Sequence, residues 1–458
     1  MDNNQSRRAF LRRTATLGIA GGAAPFVTQL AAIGEASAAV ATDYKALVCV
    51  FLYGGNDYAN TLPPYDAASH ALYEAARPGL AHARDTLAAT ALNPLNSLGG
   101  RQYALAPTMA PFLPLFDAGK MAVVLNVGTL VRPTTKAQYQ ANSVALPPKL
   151  FSHNDQQSYW QASSAEGATS GWGGRVGDLL QSGNGTAALT CISASGNAVY
   201  LSGRSSIQYV TGTNGPTPLI NNASTLFGSS SAATALRSLM GGARSHLIEN
   251  EHAIVSKRAL DLYAQVSGAL GGAPASSFPL FPTGNSLADQ LKIVARMISV
   301  SQELGAKRQV FFVSLGGFDM HDFLVRDHPT QIGRVAEAMR AFYDTTAALG
   351  VADKVTAFTA SDFGRTLAMN DDGSDHGWGA MHFVVGGAVN GQRIYGAPPA
   401  IGHNTPDDVG QGRLLPTIAV DQYAATLASW FGVSAGGLST VLPNIGNYNV
   451  SSRNLGFV

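Results

Sequence analysis

The chain has 458 residues, enough for two or three average domains or for one large α/β domain. Its 30 Lys and Arg against 29 Asp and Glu leave a net charge of +1, without the basic excess of a nucleic-acid binder. Only 13% of the residues are charged while 46% are apolar, which argues against a disordered chain, and two cysteines cannot make a disulfide scaffold.

The first segment reads as an address. Residues 6–12 are Ser-Arg-Arg-Ala-Phe-Leu-Arg, an interrupted apolar run extends from Thr14 to Ile33, and small residues end in Ala36-Ser37-Ala38 and Ala39-Val40-Ala41. A basic start, a weak apolar middle and an Ala-x-Ala stop form an export signal, cleaved after Ala38 or Ala41. The pair Arg7 and Arg8, followed by Phe10 and Leu11, resembles the bacterial twin-arginine signal. Gly18, Gly21, Gly22 and Pro25 break the run, so it is too interrupted to anchor in a bilayer, and no later segment is long and apolar enough to span one. The expectation is a signal over 1–41, the twin-arginine export machinery as a partner, and a periplasmic or secreted mature chain. Removing four arginines and two acids leaves that mature chain at −1. The resemblance to twin-arginine signals implies a passenger that folds before export, often because a cofactor is loaded in the cytoplasm.

Short β-branched or aromatic runs follow at Ala46–Tyr53, Met121–Val127, Ala188–Ser193, Gln309–Leu315, Lys354–Ala360 and His382–Val385. Continuous apolar runs of this length fit strands buried on both faces of a largely parallel sheet. Cys49 and Cys191 each fall in such a run, where a buried free thiol is favoured over a bridge between them. Helical spacing covers Leu236–Leu270, Leu287–Leu304, Arg334–Leu349 and Gln422–Phe431, the last with Asp421 placed as its N-cap. The Gly/Pro/Ser-rich stretch 271–286 reads as a surface loop. Alternating strands and helices predict one α/β domain over 42–458.

In such sheets ligands lie beyond the carboxyl ends of the strands. One run ends in Gly54-Gly55-Asn56-Asp57 and another in Gly316-Gly317-Phe318-Asp319-Met320-His321-Asp322. A third ends in Ser361-Asp362-Phe363-Gly364-Arg365-Thr366, followed by Asp375-His376-Gly377-Trp378-Gly379 and His382. A single Asp after a strand is ordinarily a turn or cap residue. Three such ends, two of them with histidine close by, point to a shared cation site. Asp319 and His321 are two apart and face the same side of an extended segment. A carboxylate with an imidazole suits zinc, manganese or iron, whereas a carboxylate cage suits calcium or magnesium.

In Phe151-Ser152-His153-Asn154-Asp155-Gln156, Ser152 is either a helix N-cap in a capping box or a nucleophile beside the positive helix end. His153 adds another imidazole there. Arg365 and Arg175 are candidate clamps for an anionic group, Arg365 favoured by its place near Asp362. His382 begins an apolar run and reads equally as core or ligand.

Together these motifs, with Gly412-Arg413-Leu414-Leu415-Pro416 and Asp421-Gln422-Tyr423-Ala424-Ala425-Thr426-Leu427, resemble the exported bacterial family called domain of unknown function 1501. The resemblance runs in order along the mature chain. That family is similar to sulfatases and alkaline phosphatases, which implies a three-layer αβα fold with a central, largely parallel mixed sheet and a metal site at its carboxyl edge. Carried over, the pattern implies divalent metal ions (zinc, manganese, calcium or magnesium). The pattern carries over Asp57, the pair Asp319 and His321, and Ser152 as nucleophile; Asp362 stands at the later acidic ligand position, with His376, His382 or His153 as the source of the further imidazole and Arg365 offsetting charge on the transferred group. The chain departs from the pattern where Phe363 follows Asp362, a position that phosphatases fill with His. The resulting expectation is a metal-dependent hydrolase of phosphate or sulfate esters acting on a small anionic substrate. A non-catalytic envelope protein and a phosphoryl mutase or transferase are the alternatives.

Overall fold

The computed structural model describes residues 43–220 and 224–458, so the signal expected over 1–41 lies outside the described residues. The most apolar runs form the strands β1 (Lys45–Leu52), β2 (Met121–Gly128), β5 (Arg308–Leu315), β6 (Val355–Ser361) and β9 (Ala380–Gly386). Shorter strands are β3 (Cys191–Ser193), β4 (Tyr209–Val210), β10 (Arg393–Tyr395) and β11 (Ile418–Ala419), while β7 (Arg365–Asn370) and β8 (Gly373–His376) make a separate hairpin. The main sheet has the order β10-β2-β9-β6-β1-β5-β3-β4, with β11 also beside β2. Only β9 runs antiparallel to its neighbours; every other pairing in this sheet is parallel.

Helices cover both faces: α1 (Ala67–Ala76), α2 (His153–Ala162), α3 (Trp172–Leu180), α4 (Ser230–Gly241), α5 (Leu247–Gly271), α6 (Ser286–Ser299), α7 (Leu324–Ala348) and α8 (Val420–Phe431). The two-residue alternation of β1 assigns its side chains to two separate cores. Val48 and Val50 pack with Leu291 and Val294 of α6 and Met339 of α7. Leu47, Cys49 and Phe51 pack with Trp172 and Val176 of α3 and Tyr423 and Leu427 of α8. The fold is therefore a three-layer α/β arrangement around a mostly parallel mixed sheet, and each fully buried Val, Leu or Phe contributes on the order of 2 kcal/mol by leaving water. Both cysteines are buried and free. Among the described residues, no helix is long and apolar enough to cross a membrane.

Four local expectations change. The run Leu236–Leu270 is two helices, because it breaks after Gly241 at Gly242, where helix propensity is poor. The Ala188–Ser193 run shortens to Cys191–Ser193 behind a 3₁₀ turn at Ala187–Leu189. Helix α7 starts at Leu324 and carries Pro329 close to its beginning, so the proline does not delay it to Arg334. Asp421 is not an N-cap: Ala419 holds that position, and the buried Asp421 carboxylate instead accepts from Ser163 Oγ and the Asn444 amide.

Candidate metal centre

The central strands end level. Leu52 of β1 is in register with Leu315 of β5 on one side and Ser361 of β6 on the other, so three loops leave the sheet together. Gly54 ties them. Its φ of 117° suits glycine, its amide donates to Asp362 Oδ2 at 3.1 Å, and its carbonyl accepts from Arg365 Nη1 at 3.2 Å. A Cβ on Gly54 would collide with the Asp319 amide.

Above these loops the side chains of His153, Asp319, His321 and His376 converge. His376 Nε2 lies 3.1 Å from His153 Nε2 and 3.0 Å from His321 Nε2. Asp319 Oδ1 lies 3.2 Å from His376 Nε2 and 3.1 Å from His321 Nε2, and Asp319 Oδ2 lies 3.3 Å from His153 Nε2. His153, Asp319 and His376 each offer one ligand atom within 4.8 Å of the others.

The far side of each ring is fixed. His153 Nδ1 meets Asp362 Oδ2 at 2.7 Å, His376 Nδ1 meets the Phe151 carbonyl at 2.8 Å, and His321 Nδ1 meets Asp375 Oδ1 at 3.2 Å. These acceptors assign the proton to Nδ1 in all three imidazoles and leave each Nε2 with a lone pair facing the cluster. Lone pairs facing one another at about 3 Å repel unless a proton or cation lies between them. Tetrahedral bonds of roughly 2.0–2.1 Å put ligand atoms about 3.3 Å apart, close to the spacings here. The residues therefore fit a transition-metal ion, with nitrogen-rich ligation favouring zinc-like ions over calcium or magnesium.

The electrostatics agree. Burial pushes the Asp319 carboxyl up, but the hydrogen bond and charge of Arg365 outweigh it and hold the group below its usual range, so it is anionic. The hydrogen bond to Asp362 raises the His153 imidazole despite partial burial, whereas burial lowers His376. The Phe363 ring underlies His153 and His376 at centroid distances of 4.9 and 4.8 Å. The side chains of Asp319 and His321 remain 41% exposed, so the cluster is open to an incoming molecule on one side.

Several residues read from the sequence lie elsewhere or do other work. Asp57 is buried against Arg77 of the α1 C-terminus, with contacts of 2.8 and 2.5 Å, and caps the short turn Tyr58–Thr61. It is not among the converging side chains, because the guanidinium already neutralises it. Asp362 is fully buried and reaches the cluster only through His153, with Gln157 Nε2 donating to the same oxygen at 2.8 Å. His382 is a core residue between β6 and α8: its ring packs on Trp160 and Tyr423, and Nδ1 meets Thr359 Oγ1.

Ser152 holds the N-cap position of α2 by backbone angle alone. Its hydroxyl donates to Asp155 Oδ2 at 3.0 Å, so the expected capping box is absent. The Arg365 side chain is fully buried and directed to Gly54 O, Ser374 O and Asp319 Oδ1, where it positions the carboxylate. Arg175 is buried on the carbonyls of Val441, Ser170 and Ala162. Of the groups that hold the rings, only Asp362 was assigned a role from the sequence; Asp375, Phe151 and Gln157, which holds Asp362, were not. Asp375 is adjacent to His376 in the chain and so was within reach, but Phe151 and Gln157 act through a carbonyl and an amide that no motif advertises.

The family model described as "Protein of unknown function (DUF1501)" matches residues 44–433. No curated protein matches significantly. Two solved structures, each 10% identical with a TM-score of 0.35, are among those similar to the chain. One comes from work on the metabolism of multiple glycosaminoglycans by Bacteroides thetaiotaomicron (BT33494S-sulf) and covers 85% of this chain and 73% of its own. The other is Ps i-CgsB in complex with k-i-k-neocarrahexaose, covering 89% and 77%.

Proposed function

The chain belongs to the DUF1501 family, and we propose that it is an exported, metal-dependent hydrolase of phosphate or sulfate esters. One observation carries the reading: three imidazoles with Nδ1 fixed by oxygen acceptors turn their Nε2 atoms, with the Asp319 carboxylate, toward a common space. Acceptors on the outer nitrogen of ligand histidines are the usual accompaniment of a metal site. His153, Asp319 and His376 would hold the ion with His321 beside them, zinc, iron or manganese being the suitable metals. When bound, such an ion polarises an ester oxygen and acidifies a water.

The chain's own groups divide the remaining work. Arg365 keeps Asp319 ionised and immobile, Asp362 keeps the His153 proton on Nδ1, and Phe363 fixes the planes of two rings. The hydroxyl of Ser152 donates to the Asp155 carboxylate of its own helix rather than to any of the converging side chains, and we take water as the attacking group. The test is turnover of aryl phosphate and aryl sulfate esters by metal-loaded chain. Turnover lost in Asp319→Ala supports the hydrolase, and bound metal without turnover of either ester contradicts it in favour of a binding protein.

A further inference from the structure

We propose that Arg413 is the residue that recognises the anionic group of the substrate, a tetrahedral oxyanion such as a sulfate or phosphate monoester; this rests on the metal-centre reading above. The two arginines nearest to that role in the sequence are unsuited to it. Arg365 and Arg175 are buried and directed to protein carbonyls and to Asp319. Arg413 also donates to protein carbonyls, but it is partly exposed and, among the described residues, keeps Nη2 free of them.

Its Nε donates to the His376 carbonyl at 2.7 Å, and its guanidinium carbon lies 4.8 Å above the ring of Phe151. The Phe151 carbonyl in turn holds His376 Nδ1, so Arg413 is tied to the same histidine from both sides. The arginine is partly exposed, and among the described residues its Nη2 has no hydrogen-bond partner and no carboxylate pairs with it.

The turn that carries it is built in detail. Buried Asp408 accepts from the amides of Asn404, Gly410 and Gly412 at 2.7, 2.7 and 2.8 Å, and Asp407 accepts from the Ala400 amide. The neighbouring carboxylates thus accept from backbone amides, and neither is hydrogen-bonded to the guanidinium. A stacked arginine with an unused Nη2, held on the backbone of one candidate metal ligand, has the planar fork that matches an oxyanion.

The test is calorimetric titration of the full mature chain, metal-loaded and metal-free, with inorganic phosphate in one arm and inorganic sulfate in the other. Metal content and unfolding midpoint are measured alongside. Binding of one anion is expected in the wild type, weakened about tenfold or more in Arg413→Gln and partly restored in Arg413→Lys, with metal content unchanged. The arm that gives binding names the ester class. Arg413→Gln that binds as tightly as wild type with its metal retained overturns the proposal, as does a folded wild type that binds neither anion. A wild type that takes up no metal, yet binds an anion through Arg413, refutes the metal-centre reading and leaves the role of Arg413 standing.

Discussion

Asp362, at the end of β6, accepts a 2.7 Å hydrogen bond from Nδ1 of His153, which opens helix α2 and is 209 residues away in sequence. The carboxylate is fully buried, fixed by Gln157 and the Gly54 amide, and raises the basicity of the opposite ring nitrogen. Asp362→Asn removes that charge while preserving size. Metal affinity, measured by competition with a chromophoric chelator, is expected to fall ~10–100-fold with the fold intact. Unchanged affinity would mean that Nε2 of His153 does not ligate.

Asp57 and Arg77 are a buried ion pair outside the cluster. Arg77→Met leaves the carboxylate uncompensated and is expected to cost ~3–5 kcal/mol in denaturant unfolding, with metal stoichiometry unaffected. The double variant Asp57→Asn/Arg77→Met recovers much of that loss, since no buried charge remains. A loss of metal in Arg77→Met, with the protein folded, would return Asp57 to the site.

Loss of stability in acid is expected from two core histidines. Burial lowers His328 to about 4 and His382 to about 3, against about 6.5 in an unfolded chain. Between pH 6.5 and these values the unfolded state binds more protons, so stability falls as pH drops through that window and gains nothing further above it. The loss is on the order of a few kcal/mol for each ring. Thermal unfolding of metal-free protein from pH 7.5 to 5 checks it: His382→Leu should show a shallower decline than wild type, and parallel curves contradict the assignment.

Ser152→Ala removes a hydroxyl whose partner is Asp155. The expected cost is about 0.5–1.5 kcal/mol of stability, with metal content and ester turnover close to wild type. Abolished turnover in a folded, metal-loaded variant would restore Ser152 as nucleophile.

Much of the sheet was legible because β1, β2, β5, β6 and β9 are runs dominated by apolar, β-branched and aromatic residues, and strands buried on both faces leave that trace. Asp319 and His321 do reach the same cluster, but not through the extended segment that their spacing suggested: they lie in the loop after β5, where the Met320 amide donates to the Phe318 carbonyl at 2.9 Å. What stayed hidden depends on partners distant in the chain. Nothing local to Asp57 signals that Arg77 will neutralise it, and nothing local to Arg365 signals that it will be buried on Gly54, Ser374 and Asp319. The helix break at Gly242 was written in the sequence, yet the apolar spacing continues across it and masked the turn. Asp421 looked like a cap because caps and buried acids share one residue type, and only the Ser163 and Asn444 contacts distinguish them.

The most direct measurement is elemental analysis of the purified full chain, wild type beside His376→Ala, with folding verified by circular dichroism. Wild type should carry about one transition-metal ion per chain, and His376→Ala, which removes the imidazole between His153 and His321, should lose it. A folded wild type without metal after zinc, iron and manganese supplementation, or a variant that retains wild-type content, would contradict the convergence of these side chains on a cation.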